Sequence, residues 1–312
     1  MTAAGRAGDQ LVVARENAGG FAIPLGRRIE LPGRGTTFVR EVEGPPGAPA
    51  LVLLHGWMAS GGLNWYQVFG PASRHFRVIA PDLRGHGRGI RSRRRFRLAD
   101  CADDVAALLE RLGVDSAIAV GYSMGGPVAQ LLWRRHRDRV DGLVLAATSH
   151  SFVPGVRERL VFTSLMAAAA GTTRVGGLVA ALPSSLVRQV MPVSTGGRPD
   201  SLQRWAAGEM ARHDWRMVLE AGHAIGHYDA RRWIGDVDVP TAVLITTRDR
   251  ALVPTQQAKL AFSIPHAAIH RVDDGHVVCS TPGFVEPLLR ATFDVAGRAY
   301  PGFAPAVSPA GR

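Results

Sequence analysis

Short, largely apolar runs that alternate with helical patterns constrain the fold more than any other feature of this chain. Each run has the length of a strand and the continuous apolar character of a strand buried on both faces. The runs are ALVLLHG (50–56), FRVIAPD (76–82), SAIAVG (116–121), GLVLAAT (142–148), PTAVLITT (240–247) and AAIHRVDD (267–274). Helical patterns lie at 98–112, 125–137, 254–263 and 282–295, and RRIEL with TTFVREVEG predicts an opening hairpin. Such alternation requires right-handed crossovers and predicts an α/β fold, a mostly parallel, doubly wound sheet with helices on both faces.

The segment from 152 to 232 interrupts this alternation. It has no strand pattern, is rich in Ala, Leu and Val, and is broken by glycines and Pro183. We therefore expect a helical cap inserted over one edge of the sheet. The two ends of the chain are rich in Gly, Ala and Pro, which is typical of mobile tails. The predicted divisions are a core at 21–151 and 233–298, a cap at 152–232, and tails at 1–20 and 299–312.

A serine between glycines follows the third apolar run. Gly121-Tyr122-Ser123-Met124-Gly125 has the G-x-S-x-G spacing, with a buried strand before it and the helical GPVAQLLWRRH after it. A sharp strand-to-helix turn points such a hydroxyl out of the carboxyl edge of the sheet, and the helix N-terminus favours developing negative charge. The pattern predicts that Ser123 is a nucleophile. The alternative is a turn serine that only caps the helix.

Four stretches of the chain together resemble the α/β-hydrolase superfamily, in its capped branch of esterases, lipases and enol-lactonases. They are LLHGWMASG (53–61), APDLRGHGRG (80–89), VGYSMGG (120–126) and DGHVVCSTPGFVEPLLRAT (274–292). The resemblance extends from about residue 30 to 295, apart from the cap. One departure is Gly89, where many members of the superfamily have a serine. The resemblance implies the α/β-hydrolase fold and the activity of a serine hydrolase.

A serine alcohol needs a base, and the base needs an acid that orients it. In this fold the chain order is nucleophile, acid and histidine. Asp249 follows the strand TAVLITT at its carboxyl end, on the same edge as Ser123. Asp236 and Asp238 precede that strand and would lie at the opposite edge. The sequence therefore predicts Asp249 as the acid, with an ordinary turn aspartate as the alternative.

Three histidines follow Asp249. His266 precedes the last strand and His270 lies within it, so neither is expected at the carboxyl edge. His276 lies in the loop beyond that strand, where the superfamily pattern also places its base. We therefore expect His276 to be the general base, the alternative being a surface histidine.

The oxyanion requires two donors that are fixed before the charge develops. In this fold they are main-chain N–H groups, one after the nucleophile and one in the loop after the third strand. These positions are Met124 and Trp57, and the indole of Trp57 is expected to line the pocket. His55 is expected to fix this loop rather than to react. The residues expected at the substrate pocket are His55, Gly56, Tyr122 and Tyr228.

Lys259 is the only lysine, so nearly all of the positive charge of the chain is arginine. With this bias, the net charge of +11 does not by itself indicate a nucleic-acid partner. The densest basic run, RSRRRFR (91–97), has one aromatic and is typical of a solvated loop. His223 and His227 have helical spacing but no third ligand, so no metal and no cofactor are expected. No apolar stretch approaches the length of a membrane span, and two cysteines without an apolar leader favour the cytoplasm.

These observations predict a serine hydrolase that cleaves an ester, lactone or thioester of a small, apolar substrate through an acyl-enzyme. The same residues could instead transfer the acyl group to an alcohol or peroxide, or cleave a C–C bond. A non-catalytic ligand receptor on the same scaffold is the alternative of a different class. Epoxide hydrolases and dehalogenases need an aspartate at the position of Ser123, which excludes both activities.

Overall fold

The computed structural model describes residues 15–18, 21–152, 156–176 and 201–305. Its strands β1 to β10 are Arg15–Ala18, Phe21–Pro24, Gly26–Leu31, Gly35–Val42, Ala50–Leu54, Arg77–Pro81, Ala117–Tyr122, Val140–Ala146, Thr241–Thr246 and Ala268–Val272. The α-helices, numbered α1 to α9 here, are Gly61–Trp65, Phe69–Ser73, Leu98–Arg111, Gly125–Arg135, Val156–Gly176, Ser201–Met210, Trp215–Gly226, Pro254–Ser263 and Val285–Ala299.

Eight strands form one sheet in the order β10-β9-β8-β7-β5-β6-β4-β3. Only β4 runs antiparallel to its neighbours within this sheet, and the remaining adjacent pairs are parallel. The predicted mostly parallel sheet is therefore confirmed. Because β5, β7, β9 and β10 point the same way, the loops that follow them emerge at one edge.

Both faces of the sheet are covered by helices, which explains the continuous apolar runs. In β5, Val52 and Leu54 pack in the core on the side of α3, α4 and α8. Leu51 and Leu53 point to the other side and pack with α1, α2 and α9. All five residues of β5 are buried. A strand with helices on both faces has no solvent side, so polar alternation is absent.

Several elements differ from the sequence-based expectation. The short helices α1 and α2 were not predicted; Ser60 caps α1 by accepting a hydrogen bond from the main chain of Leu63 at 3.2 Å. Strand β1, which lies in the segment expected to be a tail, pairs with β2 at the start of the predicted core. Beyond α9, the Tyr300 hydroxyl donates to Asp141 at 2.7 Å, and Phe303 stacks on Phe76. Ordered packing thus continues past the predicted start of the second tail.

The segment between β8 and β9 contributes α5, α6 and α7, and within its described part the one strand-like feature is an isolated bridge from Ser151 to Asp229. A buried ion pair fastens α6 to the sheet: the Glu209 carboxylate lies 3.7 Å from the Arg40 guanidinium and accepts from the Ser60 hydroxyl at 2.9 Å. The apolar stretch around Pro183 and the outermost ends of the chain lie outside the described residues.

Candidate active site

Ser123 lies on a sharp turn between β7 and α4. Its φ is +51°, in the left-handed region that residues other than glycine rarely adopt. The turn is possible only because its flanking residues lack a Cβ: one at Gly121 would lie 2.4 Å from the Gly125 carbonyl oxygen, and one at Gly125 would lie 2.0 Å from that of Leu54. The Thr148 hydroxyl donates to the Ser123 carbonyl at 2.8 Å. The spacing G-x-S-x-G is thus a steric requirement of this turn.

The Ser123 hydroxyl belongs to a hydrogen-bonded chain of three side chains. Its Oγ lies 2.9 Å from His276 Nε2, and His276 Nδ1 lies 2.7 Å from Asp249 Oδ2. Nδ1 beside a carboxylate carries the proton, so Nε2 is free to accept from the serine. His276 follows β10 and Asp249 follows β9, so parallel strands bring both to the edge where Ser123 lies.

Asp249 is buried and its two oxygens have separate sets of partners. Oδ1 accepts from the main-chain N–H of Leu252 at 2.8 Å, and Oδ2 accepts from the Thr246 hydroxyl at 2.9 Å and the Gln257 amide at 3.2 Å. Burial raises the pKa of Asp249, but the hydrogen bond and charge of His276, with these donors, outweigh burial and hold the pKa below its ordinary value. The carboxylate is therefore ionised and fixed in orientation.

The loop after β5 lies against the serine. A Cβ at Gly56 would lie 3.3 Å from Ser123 Cβ, and the Gly56 N–H donates to Asn64 Oδ1 at 2.6 Å. The main-chain N–H groups of Trp57 and Met124 make no hydrogen bond within the described ranges. Both therefore remain available as donors.

The indole of Trp57 connects this loop to the segment between β8 and β9. Its Nε1 donates to the Val218 carbonyl of α7 at 2.7 Å. Its ring meets Phe162 of α5 edge-on, with centroids 6.4 Å apart. A Cβ at Gly222 would lie 2.7 Å from the Trp57 ring and 3.1 Å from Met166 Sδ, so glycine allows α7 to approach both. Phe162 of α5 thus contacts Trp57, and Met166 of α5 lies against the same glycine as the indole.

A family model described as the alpha/beta hydrolase fold matches residues 49–281. This chain belongs to the α/β-hydrolase family. The chain is 27% identical over 253 residues to the AB hydrolase superfamily protein YisY of Bacillus subtilis, covering 75% of this chain and 85% of that protein. It is 30% identical over 242 residues to the magnesium-chelatase 30 kDa subunit of Rhodobacter capsulatus, covering 75% and 83%. The esterase EaEST of Exiguobacterium antarcticum shares the fold, with a TM-score of 0.70 and 20% identity over 85% of this chain and 98% of that one.

In this α/β-hydrolase the four predicted pocket residues have different positions. Gly56 adjoins Ser123, as described above. His55 is completely buried: its Nε2 accepts from the Leu83 N–H at 2.8 Å, and burial lowers its pKa to about 4. Its side chain therefore fixes the loop from the interior of the fold.

The two predicted pocket tyrosines are also buried in the α/β-hydrolase core. The Tyr122 hydroxyl donates to the main-chain carbonyl of His276, which supports the histidine loop. The Tyr228 hydroxyl donates to Gln130 Oε1 at 2.9 Å, and its ring meets Phe152. The Tyr228 hydroxyl is thus held by a buried amide of α4.

Sequence reasoning missed three residues that hold the site of this α/β-hydrolase in place. They are Asn64, which fixes the loop at Gly56, and Thr246 and Gln257, which fix Asp249. No motif marks an isolated amide within a helix. The nearest motif to Asn64 is HGW, which ends seven residues before it.

His223 and His227 do not form a metal site with a third ligand in the part of the chain that the structure describes. His223 Nδ1 donates to the Thr163 carbonyl at 3.0 Å, and His227 Nδ1 donates to the His223 carbonyl at 3.0 Å. Across the same described ranges, none of the helices combines the length and apolar character that a membrane span requires.

Proposed function

We propose that this α/β-hydrolase is a serine hydrolase that cleaves an ester, lactone or thioester of a small, apolar substrate through an acyl-enzyme. The observation that carries the proposal is the hydrogen-bonded chain from Asp249 through His276 to the strained Ser123. A serine alcohol is a weak nucleophile, and this arrangement supplies the base and its orienting acid. A serine that only capped the helix would need neither.

In the first step, Ser123 Oγ attacks the substrate carbonyl carbon while its proton passes to His276 Nε2. The imidazole then carries a positive charge, which the ionised Asp249 stabilises through Nδ1–H. The existing 2.9 Å contact between Oγ and Nε2 provides the path for that proton.

The attack places a negative charge on the carbonyl oxygen. We assign its stabilisation to the main-chain N–H groups of Met124, which follows the serine, and of Trp57, which follows Gly56 in the loop against it. Donors that are fixed in advance need no reorganisation as the charge develops, and removal of one such donor typically costs about 10²–10³-fold in kcat. Asn64 holds the Gly56 N–H at 2.6 Å and so fixes the loop that carries Trp57.

His276 then donates its proton to the leaving alcohol or thiol, and the acyl-enzyme remains. A water molecule takes the place of the leaving group, loses a proton to His276 and attacks the acyl carbon. Collapse of the second tetrahedral intermediate returns the proton to Ser123 and releases the acid. Every proton is thereby accounted for without a cofactor.

The preference for apolar acyl groups rests on the surroundings of Trp57. Phe162 of α5 meets its ring edge-on, and Met166 of α5 and the Trp57 ring both lie against Gly222 of α7. We propose that α5, α6 and α7 form a cap whose apolar side chains enclose the acyl chain. Apolar side chains with a few fixed polar groups are typical of small-molecule sites.

Labelling with a fluorophosphonate and hydrolysis of p-nitrophenyl butyrate test the proposal together. Ser123→Ala is expected to lose the label and at least roughly 10⁴-fold in kcat, because no acyl-enzyme can form. The control is Ser280→Ala, an exposed serine four residues after His276, which should behave as the unmodified chain. Labelling or turnover that persists in Ser123→Ala would contradict the proposal.

A further inference from the structure

A groove of about 520 Å³ lies between the β3–β4 hairpin and the loop after β6. Strands β4 and β3 are the third and fourth strands from β7, which carries the serine turn. Four arginines line the groove, Arg28, Arg88, Arg91 and Arg212, together with Thr36. None of its described lining residues is acidic. The groove therefore presents positive charge in a concave surface that the hydrolase chemistry does not use.

The nearby carboxylates neutralise these arginines only in part. Glu209 is buried behind the groove and is shared by three guanidinium groups, at 3.0 Å from Arg88, 3.3 Å from Arg212 and 3.7 Å from Arg40. Asp82, also buried, accepts from the main-chain N–H groups of Gly61 and Arg88 rather than from a groove side chain. One shared carboxylate against three guanidinium groups leaves an excess of positive charge.

Arg28 increases this excess. It is exposed on β3 and has no ion pair or hydrogen bond within the part of the chain that the structure describes. Burial lowers the pKa of Arg91; the charge of Asp214 opposes this, the charge of Arg28 adds to it, and that of Asp82 opposes it again. The two guanidinium groups thus repel each other across the groove. An anion between them would relieve that repulsion.

Two of the arginines are already held in place. The Arg88 guanidinium lies over the Phe38 ring, 4.5 Å from its centroid. Arg91 donates from one nitrogen to the carbonyls of Gly87, at 2.9 Å, and of Arg212. Donors that are fixed before a ligand arrives lose little side-chain entropy on binding.

We propose that this groove binds the phosphate groups of a small, soluble, phosphorylated ligand. Guanidinium groups pair with phosphate oxygens through two parallel hydrogen bonds, which suits several arginines that converge on one space. The volume is large enough for a diphosphate or a phosphate with an organic portion. A single-stranded nucleic acid fits less well, because it needs exposed rings for base stacking and Phe38 is buried under Arg88.

Isothermal titration of the full chain with inorganic pyrophosphate tests the inference without reference to hydrolase activity. Arg28→Gln removes the groove arginine that has no described partner, so the fold should survive. We expect its Kd to rise about tenfold or more, as loss of a charge-assisted hydrogen bond predicts. The Kd of the unmodified chain should also rise with salt.

Arg27→Gln is the matched control. Arg27 is adjacent on β3, points to the opposite face and pairs with Glu41 at 2.7 Å, so the variant loses the same charge outside the groove. Its Kd should equal that of the unmodified chain, and Arg212→Gln should weaken binding as Arg28→Gln does. The inference is overturned by absence of saturable binding, or by equal weakening in Arg27→Gln and Arg28→Gln. Binding to phosphatidic acid vesicles or to an oligonucleotide without binding to pyrophosphate would overturn it as well.

Discussion

At the scale of single residues, the partners of Asp249 determine what an amide would do in its place. Oδ1 faces the main-chain N–H groups of Ala251 and Leu252, and Oδ2 faces His276 Nδ1. In Asp249→Asn the one carbonyl oxygen is expected to stay with the main-chain donors, which turns the NH₂ group toward His276. That group favours the imidazole tautomer with its proton on Nε2, which cannot accept from Ser123. We expect kcat to fall roughly 10⁴-fold with the fold retained.

Asp273→Asn is the control for this experiment. Asp273 is an exposed aspartate close to the same loop, and its carboxylate pairs with Arg248 at 3.1 Å. Its esterase rate should match that of the unmodified chain, and circular dichroism should be the same for both variants. An inactive Asp273→Asn beside an active Asp249→Asn would show that the acid is wrongly assigned.

At the scale of elements, the packing of α5 and α7 around Trp57 predicts a dependence on acyl length. Each CH₂ of a p-nitrophenyl ester that enters an apolar pocket contributes up to about 0.8 kcal/mol, which is a several-fold gain in kcat/KM. We expect kcat/KM to rise from acetate until the pocket is filled. A steady fall from acetate onward, or a preference for anionic acyl groups, would contradict the apolar pocket.

Two neighbouring residues of α5 allow its pocket side and its outer surface to be tested separately. Met166 lies against Gly222, as the Trp57 ring does, whereas Leu165 is 62% exposed. Met166→Gln should reduce the ratio of octanoate to acetate kcat/KM, because an amide beside the chain must lose water when the chain binds. Leu165→Gln should leave that ratio unchanged. Equal effects of the two substitutions would show that α5 does not line the acyl site.

At the scale of the whole molecule, three buried histidines join the sheet to the segment between β8 and β9. The rings of His55 and His86 have centroids 5.5 Å apart, and those of His86 and His213 are 5.6 Å apart. His213 Nδ1 accepts from the Gly87 N–H at 2.8 Å. Burial lowers the pKa of His55 and of His213 to about 4, and burial with the neighbouring histidines lowers that of His86 further. All three are neutral in the fold.

Stability should therefore fall as the pH falls from 6.5 toward 4. In this window the unfolded histidines bind protons and the folded ones do not, so protonation favours the unfolded state, by on the order of 3 kcal/mol for each of His55 and His213. Urea unfolding between pH 5 and 7.5 measures the slope. His213→Asn, whose side-chain oxygen can replace Nδ1 as acceptor, should reduce it. A slope that this variant leaves unchanged would show that His213 does not titrate on unfolding.

Sequence patterns predicted the parts of this fold that depend on periodicity and on strand direction. The run at 50–56 became β5 at Ala50–Leu54, and the helix expected at 254–263 is α8 with those bounds. Strand direction alone indicated that Ser123, Asp249 and His276 would share an edge, and the structure brings them within hydrogen-bond distance. These predictions needed only local pattern and topology.

The direction of a pocket side chain depends on tertiary packing, which local sequence patterns do not reveal. His55 and Tyr228 were expected at the pocket, yet the direction of each ring is set by a distant partner, Leu83 and Gln130. Asn64 could not be found for the same reason, since its role depends on the approach of α1 to the loop after β5. A side chain's partner across the fold leaves no periodic signal in the sequence.

The buried pair of Arg40 and Glu209 limits how freely the helices between β8 and β9 can be exchanged among related enzymes. A chimera that replaced α6 would leave the Arg40 guanidinium in the interior without this carboxylate, and breaking a buried ion pair costs about 3–5 kcal/mol. That loss approaches the whole stability of a marginal domain. Exchange of the whole segment therefore requires either a carboxylate at the position of Glu209 or an apolar residue at position 40.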